Sequence, residues 1–453
     1  MKKLGLIFLL VSIFTQAQND TINIKITPGG RYDKLYMYHL EGVNQNYFAN
    51  AEIQGDEFNM VIYRDADPKG VYRVYYDLQN KEYFDLIYNG EPISVTYDTT
   101  KKKNAMTVNK SDENKIYQDY ITHILKQEFV VDSIQYAYFN PNNKTKKVRA
   151  AYKAEEEKLM DMQHKYEAQA EGMLAYHFIN SHQKYKSPTV VEDPSEYMSL
   201  IKSHFFEHVD FHDTALYNST FLIDQVAIYV FNICRSNDPN EDYEAKRAAI
   251  DHVMHETEDH LKIRADILTS LIYAFAGEQD IRHTNYLIEN YYKKLPAPYQ
   301  DDEFVQKIVS VLKTAIGANA PDFDLGENNG NKKLSELEGA DHYLVVFWST
   351  SCSHCLIEIP KLYDMTKDMK SLKVIAIALE TNEGPFDREI SKYSKWINVY
   401  GEGKWDNAIG DSYNVDHTPN FFLLDKDKYI QAKPQNVEQL KSFFKTYHEN
   451  NTK

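Results

Sequence analysis

The feature that most constrains this 453-residue chain is the run Tyr343-Leu-Val-Val-Phe-Trp348, followed almost at once by Cys352-Ser-His-Cys355. A short, uninterrupted apolar run with β-branched and aromatic members predicts a strand covered on both faces. A helix starting at the first cysteine puts Cys352 where unpaired backbone N–H groups and the helix dipole favour a negative charge. That position makes a thiolate, the nucleophilic form of cysteine. Two intervening residues let one helical turn bring the sulfurs within disulfide reach.

Other uses of the pair have less support. A closed zinc site wants four ligands, and the one further cysteine, Cys234, ends the apolar helical run Ala227–Cys234, where it reads as a small buried side chain. His354 and His417 are the donors such a site would draw on, and a copper-handling module would use Cys352, Cys355 and His417. A permanent staple across so short a loop would restrict the unfolded chain little.

Four spaced features around the pair resemble thioredoxin-like envelope thiol-disulfide oxidoreductases of the TlpA/ResA type. They are Gly317-Ala-Asn-Ala-Pro-Asp-Phe323, then Phe347-Trp348 with the CxxC, then Glu358 and Pro360 in the spacing C-x-x-E-x-P, and finally His417-Thr-Pro-Asn-Phe-Phe-Leu-Leu-Asp425. The match runs from about Gly317 to the C-terminus. It implies an α/β thioredoxin fold in which Cys352 attacks, Cys355 resolves, and the two form a redox-active disulfide. It also implies a helix kinked at Pro360, a cis Pro419, and a Thr418 backbone that pairs with an extended substrate. Trp348 and His354 join Thr418 and Pro419 as the expected substrate-binding residues. No cofactor and no metal are implied.

Glu358 lies three residues past Cys355 on the same helix face. It reads either as the proton acceptor for the second thiol or as a solvated helix glutamate; Val346, standing where thioredoxin keeps a buried aspartate, favours the first. Ser351 replaces a usual tryptophan, and Ser353-His354 replaces a usual Gly-Pro pair. A histidine before the second cysteine resembles strongly oxidising DsbA-type proteins, whereas Glu358 and Pro360 resemble reductases. The expected role is reductase or isomerase rather than oxidase. A peroxiredoxin pattern fails because Val345 stands where its proline belongs.

The ends and the charge narrow the setting. Met1-Lys-Lys, the apolar run Leu4–Phe14 and Thr15-Gln-Ala17 have the three parts of a secretory signal peptide, with cleavage expected after Ala17. No later run is long enough to span a bilayer, so a periplasmic or envelope location is expected, with protein thiols and disulfides as partners. A net charge of −16 argues against nucleic-acid or anionic-membrane surfaces. An exported chain with so few cysteines does not rest on disulfides for stability, which favours a catalytic CxxC over a binding or assembly protein with incidental thiols.

Along the chain, residues 18–100 alternate in strand-like runs, Thr21–Ile26, Lys34–His39, Glu57–Tyr63, Tyr72–Tyr76 and Ile93–Tyr97, between turn signals and predict a small antiparallel sheet or sandwich. Residues 101–315 switch to helical periodicity, with amphipathic runs around Tyr152 to Phe178, Leu216 to Cys234 and Tyr243 to Phe275, and predict an all-helical domain. Residues 316–453 read as the thioredoxin-like domain. In the helical segment His204, His208 and His212 are spaced by four, while His252, His255, Glu256, Asp259 and His260 fit one helix face. Neither set has the H-E-x-x-H form, and both read first as wet polar faces.

Overall fold

The computed structural model describes residues 19–64 and 66–451, so the expected signal peptide, residues 1–17, lies outside the described residues. The chain divides into two compact units between Ile267 and Leu268.

The first unit opens with eight strands: β1 (Asn19–Thr27), β2 (Lys34–Glu41), β3 (Asn44–Glu52), β4 (Phe58–Tyr63), β5 (Gly70–Asp77), β6 (Glu82–Tyr88), β7 (Ile93–Asp98) and β8 (Met106–Lys110). They form two four-stranded sheets, ordered β4-β1-β7-β8 and β3-β2-β5-β6. Ile22, Ile24 and Val95 of the first sheet share one core with Met37, Tyr72 and Val74 of the second, so the arrangement is a sandwich. Strict alternation in β1 produces this, because every second side chain must face the partner sheet. One pair departs from the antiparallel expectation: β1 and β7 run parallel. Strands β3, β6 and β8 have no counterpart in the period-two reading, and β8, paired to β7, carries the sandwich past residue 100 into the segment expected to be all-helical. β3 is largely exposed on both faces and so lacks an apolar alternation to read.

Helices follow: α1 (Asp112–Tyr138), α2 (Lys146–Gln169), α3 (Leu174–Ser181), α4 (Pro194–Ser203), α5 (Thr214–Tyr217), α6 (Phe221–Ile228), α7 (Pro239–Glu256) and α8 (Leu261–Gly277), the last crossing the division between units. Long periodic runs in the sequence break where caps intervene. The run expected from Tyr152 to Phe178 is two helices, and that from Tyr243 to Phe275 is α7 and α8. The run Leu216–Cys234 ends in a π-helical turn, Tyr229–Ile233, with Cys234 buried after it.

Asn114 ties helix α1 to the β6 edge of the sandwich. Ser111 caps its N-terminus by accepting from the Asn114 N–H at 3.1 Å. The buried Asn114 amide then meets the outer edge of β6, accepting from Ile87 N–H (2.8 Å) and donating to Ile87 C=O (2.7 Å). The edge strand thus finds its missing partner in a side chain.

The histidines of this unit occupy separate pairings. His204 stacks on Tyr185 at 4.2 Å and meets Glu207, His252 stacks on Phe206, and the His212 and His260 rings lie 5.7 Å apart. Among the described residues no group of three or more His, Cys, Asp or Glu is placed to hold a metal ion.

In the second unit, α9 (Ile281–Asn290) and α10 (Asp302–Leu312) precede β9 (His342–Trp348), α11 (Ser353–Thr366), β10 (Leu372–Glu380), α12 (Glu383–Ile390), β11 (Ile397–Glu402), α13 (Ala408–Ser412), β12 (Asn420–Asp425), β13 (Ile430–Ala432) and α14 (Val437–Asn451). The sheet order β11-β10-β9-β12-β13 is that of a thioredoxin fold. Every residue of β9 is buried. Its even-numbered side chains from Leu344 to Trp348 enter one core, and Tyr343, Val345 and Phe347 enter the other. The Gly317–Phe323 signature lies along the outer edge of β13, where Gly317 N–H donates to Ile430 C=O (2.7 Å) and Ile430 N–H to Ala318 C=O (2.9 Å). Among the described residues no helix is long and apolar enough to cross a membrane.

Asn114→Ala is expected to destabilise the first unit by about 2–4 kcal/mol, because it strands a buried N–H and C=O at once. Thermal or denaturant unfolding followed by far-UV circular dichroism checks this; a change below about 0.5 kcal/mol would mean that β6 does not depend on its side-chain partner.

Candidate active site

The cysteines sit where a fully buried strand delivers them. β9 ends at Trp348, a short loop turns over the sheet, and Cys352 becomes the N-cap of α11, its Sγ accepting from the Cys355 N–H at 3.2 Å. Both cysteines are in the dithiol form. Cys352 is partly exposed and Cys355 is buried.

The electrostatics separate them further. Burial alone would push the Cys352 thiol up, but it is outweighed by hydrogen bonds from the Cys355 thiol, the Thr418 side chain and the backbone N–H groups of Cys355 and His354, so its pKa lies below that of an ordinary cysteine. Burial, reinforced by the neighbouring Cys352 sulfur, pushes the Cys355 thiol strongly up. One thiol is therefore poised as a nucleophile while the other holds its proton.

Strand pairing brings the opposite wall. Asn420 of β12 lies against Phe347 of β9, so the two residues before it fall beside the CxxC. The Thr418–Pro419 peptide is cis, and the Cys352 thiol donates to the Thr418 carbonyl at 3.3 Å. Pro360 lies inside α11. His354 is exposed on the first turn beside the cysteines.

Trp348 is a correction. It was expected to bind substrate, but it is fully buried, packed edge-on against Tyr393 at 5.8 Å. No substrate can reach a side chain that the core encloses; it supports the cysteine loop from beneath.

Glu358 is buried rather than solvated, which removes the bland alternative. Its oxygens accept from Lys361 Nζ (2.8 Å) and from the Val437 N–H at the start of α14 (3.4 Å), and Cys355 is not among its hydrogen-bond partners. The Lys361 ammonium, opposed by burial and helped by the Val437 N–H, holds the carboxyl below the usual range, so it is ionised at neutral pH. Its observed work is to tie α11 to α14.

Two groups escaped sequence reasoning. Glu380, buried at the end of β10, accepts from Ser349 Oγ (3.0 Å) and from the Thr350 N–H, fixing the loop that carries the cysteine. A carboxylate directly after the apolar run Val374–Leu379 was the available signal, since parallel strands present their carboxyl ends to sites. Ser349 Oγ lies 2.9 Å from Ser351 Oγ, which accepts from Lys404 Nζ at 3.3 Å. Lys404 and Trp405 carried no sequence signal beyond a loop. His417, a donor in the copper reading, has its Nδ1 2.6 Å from Asp416.

Comparison with known proteins agrees with this geometry. Residues 339–430 match a family described as thioredoxin-like. The chain is 31% identical over 143 residues to the thiol-disulfide oxidoreductase ResA of Bacillus thuringiensis (strain Al Hakam), which covers 29% of this chain and 79% of that protein. It is 30% identical over 112 residues to ResA of Bacillus subtilis (strain 168), covering 24% and 62%. Among solved structures, a domain of a possible thiol-disulfide isomerase from Cytophaga hutchinsonii is 29% identical, with 30% of this chain and 97% of that chain covered and a TM-score of 0.26. A thioredoxin-like protein from Bacteroides caccae is 18% identical, with 58% and 96% covered and a TM-score of 0.40. With its cysteines on the helix that follows a doubly buried strand and its similarity extending over most of ResA, the chain belongs to the ResA-like family of thioredoxin-fold thiol-disulfide oxidoreductases.

Proposed function

We propose that this chain is exported to the periplasm or cell envelope and exchanges its dithiol for disulfides in envelope proteins, acting as a reductase or isomerase. The observation that carries this reading is the asymmetry of the two thiols beside the Thr418 carbonyl. In the forward direction the Cys352 thiolate attacks one substrate sulfur, the substrate S–S bond breaks, and the leaving thiolate takes a proton. Cys355 then loses its proton and attacks Cys352 in the mixed disulfide, releasing the second substrate thiol. Two electrons and two protons pass from protein to substrate, so no cofactor enters the step. Glu358, ionised and one turn beyond Cys355, is the proposed acceptor of the resolving proton. Residues 18–100 and 101–315, as two domains ahead of the thioredoxin-like 316–453, are proposed to select or position the partner.

Direction follows from magnitudes. Stabilising the reduced thiolate raises the potential, by about 30 mV for roughly 1.4 kcal/mol in a two-electron couple. An exposed charge at a helix end is worth only about 0.3–1 kcal/mol. That is far too little to carry a reductant near about −270 mV to an oxidant near about −120 mV. His354 therefore tunes the couple without reversing its role.

In the dithiol protein iodoacetamide is expected to modify Cys352 at least tenfold faster than Cys355, with a rate that rises through a midpoint below that of an ordinary cysteine. Cys352→Ser should abolish exchange and Cys355→Ser should accumulate mixed disulfides with its partners. Mass spectrometry of the alkylated protein decides this, and equal rates at the two thiols would refute the assignment of roles.

Glu358→Gln is expected to slow exchange by about tenfold or more near neutral pH, where proton acceptance by a positioned carboxylate matters. An unchanged pH–rate profile with a lowered melting temperature would instead leave Glu358 as the tie between α11 and α14.

His354→Pro is expected to make the protein more reducing by about 10–30 mV, because proline has no N–H to donate to the Cys352 sulfur and the exposed imidazole is lost. Equilibration with glutathione measures it; a potential as high as that of strong oxidants, or no shift, would sink the reductase assignment.

A further inference from the structure

Beside Cys352 lies a hollow of about 200 Å³ walled by Ser349, Ser351, Leu379, Lys404, Trp405 and Thr418. Two of its walls look outward. Trp405 is 48% exposed, an uncovered aromatic face next to a nucleophile. Lys404 is half-buried, and its ammonium donates to Ser351 Oγ at 3.3 Å.

Lys404 supplies the cation on the wall of this hollow. The chain carries 67 acidic residues against 51 lysines and arginines. Some lysines of this unit are matched, Lys361 with Glu358, Lys367 with Asp364, Lys392 with Glu389 and Lys395 with Asp368, while others, such as Lys373 and Lys428, donate to backbone carbonyls. Lys404 forms no ion pair among the described residues, although the exposed Glu402 and Asp406 flank it in sequence. The carboxylate reached through its own contacts, Glu380, lies two serine hydroxyls away and is engaged by Ser349 and the Thr350 N–H. An ammonium held by one neutral hydroxyl at the wall of the nucleophile's hollow keeps donors free for a ligand.

We propose that this hollow is a subsite for the residue flanking the scissile cysteine of the substrate, and that it selects an acidic one. The carboxylate of Asp or Glu would meet Lys404 while its methylene stem lies against Trp405, and the Thr418 backbone would hold the extended segment in line with Cys352. Recognition chooses which sulfur is presented; the exchange itself, with its two electrons and two protons, is unchanged. The inference rests on the oxidoreductase reading and adds to it the chemical class of substrate.

The test uses the reduced full-length protein and three oxidised peptides that differ only in having Glu, Gln or Lys beside the cysteine. At low salt the second-order rate constant is expected to favour Glu over Gln by about two- to fivefold, the scale of a partly exposed ion pair, and to disfavour Lys. The Glu:Gln ratio should fall toward one in 1 M salt. It should reach one in Lys404→Gln, and Lys404→Glu should favour the Lys peptide instead. Equal rates for the three peptides, or a preference that survives both substitutions, would overturn the subsite while leaving the thiol chemistry intact. Failure to reduce any of the three would overturn both.

Discussion

The site depends on the burial of β9 on both faces. A strand enclosed by two cores cannot slip in register, because a one-residue shift would exchange every side chain between them. With β9 fixed, its antiparallel pairing to β12 fixes where the chain arrives before Asn420, and that is beside Cys352. Its parallel pairing to β10 places Glu380 under the cysteine loop in the same way. The thiol, the carbonyl across from it and the carboxylate beneath the loop are thus held by one strand rather than by one another.

Two cysteines three residues apart acquire different chemistry from that placement. Cys352, as N-cap, collects backbone donors and some solvent; Cys355, one turn deeper, is packed in the core with Trp348 and Ile359. Desolvation opposes ionisation at both, but only Cys352 has enough donors to overcome it. The difference between the two thiols is therefore mainly one of burial and hydrogen bonding. His354 adds to it through its backbone N–H.

The first unit follows different rules. Its sandwich relies on alternation, aromatic contacts such as Phe84 stacked on Tyr97 at 4.4 Å, and side chains that satisfy exposed edges, as Asn114 does for β6. None of its histidine groupings converges on a common point.

Much of this was legible in the chain. The apolar run before Cys352, the C-x-x-E-x-P spacing and the Thr418-Pro419 strand gave the thioredoxin fold and the residues around the thiols, because a doubly buried strand and a helix N-terminus leave strong local patterns. Alternation likewise gave five of the strands, but β3, β6 and β8 were silent, being exposed, mixed or short. Helix breaks near Gln169 and Glu256 were hidden since periodicity continues across a cap. What the sequence could not supply were relations between distant segments: that Trp348 is enclosed, that Glu358 reaches α14, that Glu380 holds the cysteine loop and that Lys404, with no ion pair among the described residues, stands at the hollow beside Cys352. Local composition determines which element a segment forms and which face is apolar; the partner of a buried carboxylate or ammonium is decided only when the folded chain brings remote residues together and takes their water away.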